Sequence, residues 1–187
     1  MLKNPLSFSH EMIDSVVNEG DLVIDATVGN GHDTLFLANL VGESGQVYGF
    51  DIQKQAIDST KNRLKENKAL AKVDLIHAGH EMMAANIPEG KKASAVMFNL
   101  GYLPKGDKAI VTKAETTKKA ITQALSLLKK SGLLSIMVYY GHPGTNGEKE
   151  VVDELVREIP QEKFEALSYK FVNQRNNPPY LYLIQRR

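Results

Sequence analysis

The stretch Leu22-Val23-Ile24-Asp25-Ala26-Thr27-Val28-Gly29-Asn30-Gly31 decides the fold, because an apolar run ends in an acid and passes straight into a glycine-rich turn. Such a run is a buried strand delivered to the carboxyl edge of a parallel sheet. The glycines let the chain turn tightly and approach a ligand where a side chain would intrude. Twenty residues beyond Gly31 a second apolar run ends at Phe50-Asp51, and an acid at that distance can accept hydrogen bonds from ribose hydroxyls. The corner reads as a nucleotide site.

A dinucleotide corner asks for G-x-G-x-x-G, with a pyrophosphate facing the helix start. Gly29 and Gly31 take the first two places but Thr34 takes the third, and Asp25 would set negative charge beside the phosphates. S-adenosylmethionine has no phosphate and carries an ammonium group and a sulfonium. The order Asp25-x-Thr27-x-Gly29-x-Gly31 resembles the D/E-x-G-x-G-x-G motif of Rossmann-like class I methyltransferases, with Thr27 in place of the first glycine. That resemblance implies S-adenosylmethionine as cofactor and S-adenosylhomocysteine as product. It implies a cofactor set of Asp25, Thr27, Gly29, Asn30, Gly31, Asp33 and Thr34 at the first corner, then Asp51 and Gln53 at the second.

Outward from this corner, helical and strand patterns alternate. Residues 9–19, with Ser9 as cap and Met12, Ile13, Val16 and Val17 at helical spacing, form a helix before the first strand. A second helix runs from His32 to Gly42, strand two is 47–51, an amphipathic helix covers 53–68 and strand three is 73–77. A short helical turn spans 79–85 and strand four is 93–99. After a loop, Thr112-x-x-Glu115 matches a capping box for a helix ending near Gly132, and strand five follows at 133–140. Asn146 caps a helix through Arg157, and strands six and seven are 164–172 and 180–185. Alternation of this kind demands a parallel α/β sheet covered on both faces. The last two strands are joined by too short a turn for a helical crossover and form an antiparallel hairpin. Class I methyltransferases have this arrangement, seven strands in the order 3-2-1-4-5-7-6 with strand 7 antiparallel.

Composition sets the outer limits. The 187 residues suit one α/β domain over 1–187, and 42% hydrophobic with 24% charged residues argues against disorder. The chain has no cysteine, which excludes disulfides, thiolate catalysis and cysteine-ligated zinc. No apolar run approaches a membrane span and no signal-peptide core follows Met1, so a cytoplasmic protein without membrane or metal partners is expected. A net charge of +1 requires any nucleic acid to be met by a local patch.

The ligand of such a sheet lies across the carboxyl ends of its strands. Asp51 is the candidate for the ribose, Ile52 for a face of adenine and His80 for the adenine edge. After strand four, Asn99-Leu100-Gly101-Tyr102 resembles a relaxed D/N-P-P-Y/F motif of amino methyltransferases without either proline. The resemblance implies catalytic roles for Asn99, which orients an amine, and Tyr102, which stacks on a base; Asn99 also borders the cofactor. An alkylamine must lose a proton before it attacks a methyl group; Asp107, His142 and Tyr140 are candidate acceptors, and the sequence does not choose among them. Candidate substrate contacts are Tyr102, Tyr140, His142, Asn176 and Asn177, as groups that stack on or hydrogen-bond to unpaired bases, with Lys105 and Arg175 for phosphates.

The segments 27–34, 99–104 and 176–179 together resemble the YtqB-like group of small methyltransferases labelled rRNA methylases, within it the MnmM-type tRNA enzymes. The resemblance implies N-methylation of 5-aminomethyl-2-thiouridine at the tRNA wobble position. The partner is then a tRNA anticodon stem-loop, gripped by the catalytic domain itself or by a homodimer. An rRNA or small-molecule amine methyltransferase and a non-catalytic S-adenosylmethionine sensor are the alternatives, and a nicotinamide oxidoreductase stands further off.

Overall fold

A computed structural model describes residues 1–101, 112–141 and 146–187. Strands β1 (Leu22–Asp25), β2 (Gln46–Asp51), β3 (Val73–His77), β4 (Ala93–Leu100), β5 (Leu128–Val138), β6 (Phe164–Tyr169) and β7 (Tyr180–Arg186) form one sheet in the order β3-β2-β1-β4-β5-β7-β6. The first five are parallel, while β7 runs antiparallel to both β5 and β6. This is the class I methyltransferase topology. Helices α1 (Pro5–Asp14), α2 (His32–Val41), α3 (Lys54–Glu66), α4 (Met83–Asn86), α5 (Ala114–Leu127) and α6 (Asn146–Glu158) connect and cover it, with short 3-10 turns at Leu70–Lys72 and His80–Met82.

Strand periodicity divides the core in two. Successive side chains point to opposite faces, so Ile24, Val96 and Phe98 pack with Ile121, Ala124 and Val152 on one side. Val23, Ala95 and Met97 pack with Ile13, Leu37 and Leu64 on the other. The central strands are buried on both faces, hence their unbroken apolar runs.

Several boundaries differ from the periodic reading for local reasons. Helix α1 starts at Pro5, because Asn4 Oδ1 accepts the Ser7 N–H at 2.8 Å and proline suits a first helical position. Ser9 is no cap; it is buried, with its hydroxyl 2.6 Å from that of Ser135 on β5. The expected capping box does not form either. Lys113 precedes α5 without a side-chain cap, and the Thr112 hydroxyl donates to Glu148 instead. Helix α5 ends at Leu127, and β5 begins directly after it with a register shift opposite Ala93 and Ala95. Asn146 is the first residue of α6 rather than the residue before it, and β6 stops at Tyr169.

The Asn4 cap lets α1 begin early enough to carry Leu6 to the site. Replacing Asn4→Ala should lower stability by about 1 kcal/mol, measured by urea unfolding. An unchanged midpoint would show that the cap does not hold the helix.

Candidate active site

The strand order reverses between β1 and β4, and a cavity of about 620 Å³ opens at the carboxyl ends of the strands there. Its first wall is the turn after β1. Asp25 is fully buried beneath that turn, accepting the Thr27 N–H at 3.1 Å and the Thr34 hydroxyl at 2.6 Å. It binds the two ends of the glycine loop together and does not border the cavity. Burial, then the neighbouring Asp33 carboxylate, pushes Asp25 up to about 7. Helix α3 holds the loop from behind: Thr60 donates to the Gly29 carbonyl at 3.1 Å and Arg63 Nε to that of Asn30 at 2.7 Å. Gly31, at φ +76°, could carry no side chain, since a Cβ would lie 2.6 Å from Thr60 Oγ1.

The second wall follows β2. The Asp51 carboxylate accepts the Gly29 N–H at 2.9 Å and the Gln53 N–H at 2.8 Å, so backbone donors from two loops fix its orientation. Each oxygen keeps a further lone pair for a ligand hydroxyl. Beside it Ile52 is 54% exposed, an aliphatic surface left open where a planar ring can cover it. His80, at the start of the turn after β3, is buried 5.5 Å from the Phe98 ring, and burial pushes its imidazole pKa down, favouring the neutral form. A neutral ring offers one donor and one acceptor.

The third wall is the end of β4. The Asn99 N–H donates to Thr27 Oγ1 and its side-chain Nδ2 donates to Asp33 Oδ2, both at 2.7 Å. The hydroxyl that replaces a motif glycine therefore ties β4 to the turn after β1. Gly101 and Thr112 exchange two bonds: Gly101 N–H to Thr112 Oγ1 at 3.0 Å, and Thr112 N–H to the Gly101 carbonyl at 3.1 Å. Thr112 and Thr117 then donate to Glu148, a buried carboxyl whose pKa burial raises. Thus the wall is anchored on α6.

Among the expected cofactor residues, Thr27, Gly29, Asn30, Asp33, Asp51, Gln53, His80 and Asn99 border this one cavity. Asp25, Gly31 and Thr34 do not; they shape the loop from below. Tyr140 also lies off the cavity, its ring 5.6 Å from Tyr180 and under Lys149, whereas its neighbour Tyr139 borders it. Adjacent residues at a strand end face opposite ways. Arg175 and Asn176 are exposed on the turn after β6, and Asn177 packs against Gly141 at the same sheet edge, outside the cavity lining. Tyr102, Lys105, Asp107 and His142 lie outside the described residues. Leu6, Thr112 and Thr116, which the sequence reading missed, also border the cavity, as do Lys113 and Tyr139. Of these, Leu6 was legible, since Asn4-Pro5 marks a helix start just before it.

The donor set suits one kind of nucleotide. Two carboxylates, a glycine turn and an open aliphatic face fit ribose hydroxyls, a cationic amino-acid moiety and a purine. The acids Asp33 and Asp51 would repel a pyrophosphate. With the fold, this defines an S-adenosylmethionine-dependent methyltransferase of class I. The profile of the family described as "Putative rRNA methylase" matches residues 47–185. A chloroplastic tRNA (mnm5s2U34)-methyltransferase of Arabidopsis thaliana is 38% identical across 98% of this chain and 70% of its own length. A Clostridium thermocellum structure that carries the same rRNA-methylase description superposes with a TM-score of 0.97 at 45% identity, covering all of both chains. A Streptococcus mutans methyltransferase structure in complex with SAH does so at 0.91 and 37%, again over all of both chains. The chain belongs to this rRNA methylase family.

The buried acid has a measurable consequence. With its folded pKa raised from an ordinary 3.8 to about 7, Asp25 binds a proton in the folded chain that the unfolded chain has already released. Its contribution to stability is therefore greatest below about pH 4 and is lost as pH rises to about 7. Melting temperatures of wild type and Asp25→Asn across that range should diverge in favour of the variant as pH rises. A constant difference would contradict the raised value.

Proposed function

We propose that this chain N-methylates the 5-aminomethyl group of 5-aminomethyl-2-thiouridine at the wobble position of tRNA, giving the 5-methylaminomethyl form. The observation that carries the reading is the Asn99 amide, anchored at its backbone by Thr27 and at its nitrogen by Asp33 on the wall opposite Asp51. An amide whose nitrogen is engaged presents its oxygen as an acceptor, which is what an amine nucleophile needs for orientation. The name of the Arabidopsis relative supports the tRNA substrate. The family description favours rRNA as the second reading.

Bound in the cavity, S-adenosylmethionine supplies a methyl group on a positively charged sulfur, and transfer forms an N–C bond as the C–S bond breaks. Asp51 holds the ribose hydroxyls, Ile52 covers one face of the adenine and neutral His80 meets its edge. Thr27, Gly29, Asn30 and Asp33 frame the amino-acid end, while Gln53 fixes Asp51. Asn99 directs the amine lone pair along the transfer axis, and Tyr139 closes the wall beside it. Much of the acceleration in such a site comes from alignment and from excluding water. The anticodon stem-loop lies across Lys113 and the Arg175–Asn177 turn, with Tyr102, Lys105 and His142 as the further candidate contacts.

Asp51→Ala removes two charge-assisted acceptors and should weaken binding of S-adenosylhomocysteine by roughly 10- to 100-fold in calorimetry. Asn99→Ala should leave that affinity within about twofold and slow transfer on the order of 100-fold. If both variants kept wild-type turnover, the assignment would be wrong. In cells, deletion of the gene should leave 5-aminomethyl-2-thiouridine unmethylated in bulk tRNA, read by nucleoside mass spectrometry. A full methylated tRNA pool with a methyl lost from rRNA would establish the second reading.

A further inference from the structure

We propose that His10, on the helix that precedes the cofactor-binding strand, is a positioning residue for the reaction: it acts through Asp33 to fix the orientation of the Asn99 amide. The inference rests on the reading of Asn99 as the group that orients the acceptor amine. Three side chains from three elements form one chain of hydrogen bonds. His10 Nε2 lies 2.7 Å from Asp33 Oδ1, and Asp33 Oδ2 accepts from Asn99 Nδ2 at 2.7 Å. A carboxylate can only accept, so Nε2 carries a hydrogen, and the amide must turn its nitrogen toward Asp33. Its oxygen is thereby committed to the other side.

Each member of this chain is itself held. The imidazole of His10 stacks on Phe36 of α2 at 4.1 Å with planes 13° apart, which leaves rotation about the ring plane little freedom. Asp33 is only 11% exposed at its side chain. Helix α1 is pinned to the sheet by the Ser9–Ser135 contact at 2.6 Å. Beyond it, Phe8 stacks on Tyr169 at 4.4 Å, and the Tyr169 hydroxyl donates to the Lys3 carbonyl at 2.6 Å. The same helix places Leu6 in the cavity lining, one turn before His10 on the same face. Residues 1–21 precede the first sheet strand and lie outside the matched family segment 47–185, yet they reach the reacting edge.

Why three residues are needed follows from the amide. An Asn side chain with both ends free rotates, and half its orientations turn an NH₂ toward the amine, where donor faces donor. Asp33 removes those orientations. Without His10, the Asp33 carboxylate can swing away from Asn99 toward solvent, and the amide loses its reference.

The test uses the full chain with S-adenosylmethionine and an anticodon stem-loop bearing 5-aminomethyl-2-thiouridine, in single turnover with enzyme in excess. His10→Phe keeps the stacking on Phe36 and removes the donor; His10→Gln keeps an N–H donor at similar reach. The expected result is that His10→Phe slows transfer about 10- to 100-fold, that His10→Gln restores most of it, and that both bind S-adenosylhomocysteine within about twofold of wild type. Equal rates for His10→Phe and wild type would overturn the proposal. So would equal losses in both variants that track their melting temperatures, because that pattern is a purely structural role. If wild type itself transfers nothing to this stem-loop, the substrate reading fails, and the inference is judged by the Asn99 side-chain amide. Its ¹⁵N–¹H resonances, identified by their loss in Asn99→Ala, should move in His10→Phe and stay near wild-type positions in His10→Gln. Unmoved resonances in His10→Phe would refute it.

Discussion

The Thr27 hydroxyl accepting the Asn99 backbone N–H is the contact on which the site depends. Strands β1 and β4 are paired up to Asp25 and Met97, after which the strand order sends the chain to opposite sides of the sheet. Every open α/β sheet has a crevice at such a reversal. Here the two walls are joined at 2.7 Å by a side chain that replaces a motif glycine. The turn after β1 and the end of β4 are thereby built as one unit, with Asp33 closing the circuit from α2.

The charge pattern of the site is a consequence of that closeness. Asp25, Asp33 and Asp51 surround one short turn, and Asp25 lies deepest, which is why burial and Asp33 raise it while it holds the loop ends. The three acids that border the cavity, Asp33, Asp51 and Glu81, make it a place for a cation. The sulfonium and ammonium groups of S-adenosylmethionine are cations. Attraction and loop geometry here come from the same residues.

Much of the fold was legible because its signals are periodic. Buried parallel strands read as continuous apolar runs, and the short Asn173–Pro179 turn forced the hairpin that sets β7 antiparallel. The site was less legible, because direction cannot be read from spacing alone. Asp25 belongs to the motif but its side chain points under the loop, and at the end of β5 the choice between Tyr139 and Tyr140 turns on strand phase. Glu148 was hidden differently. Thr112 looked like half of a capping box, yet its hydroxyl goes to a buried acid on α6 thirty-six residues away. Helix α1 was misplaced by reading Ser9 as a cap, and with it went Leu6.

Transfer of one methyl group in a purified system tests the account most directly. The full chain, S-adenosylmethionine and a synthetic anticodon stem-loop with 5-aminomethyl-2-thiouridine should give one added methyl per stem-loop, which fragmentation mass spectrometry places on the side-chain nitrogen of the wobble base. A stem-loop with unmodified uridine at that position should gain none. Methyl transfer to both, to another nucleotide, or only to rRNA fragments supplied in the same assay would contradict the account.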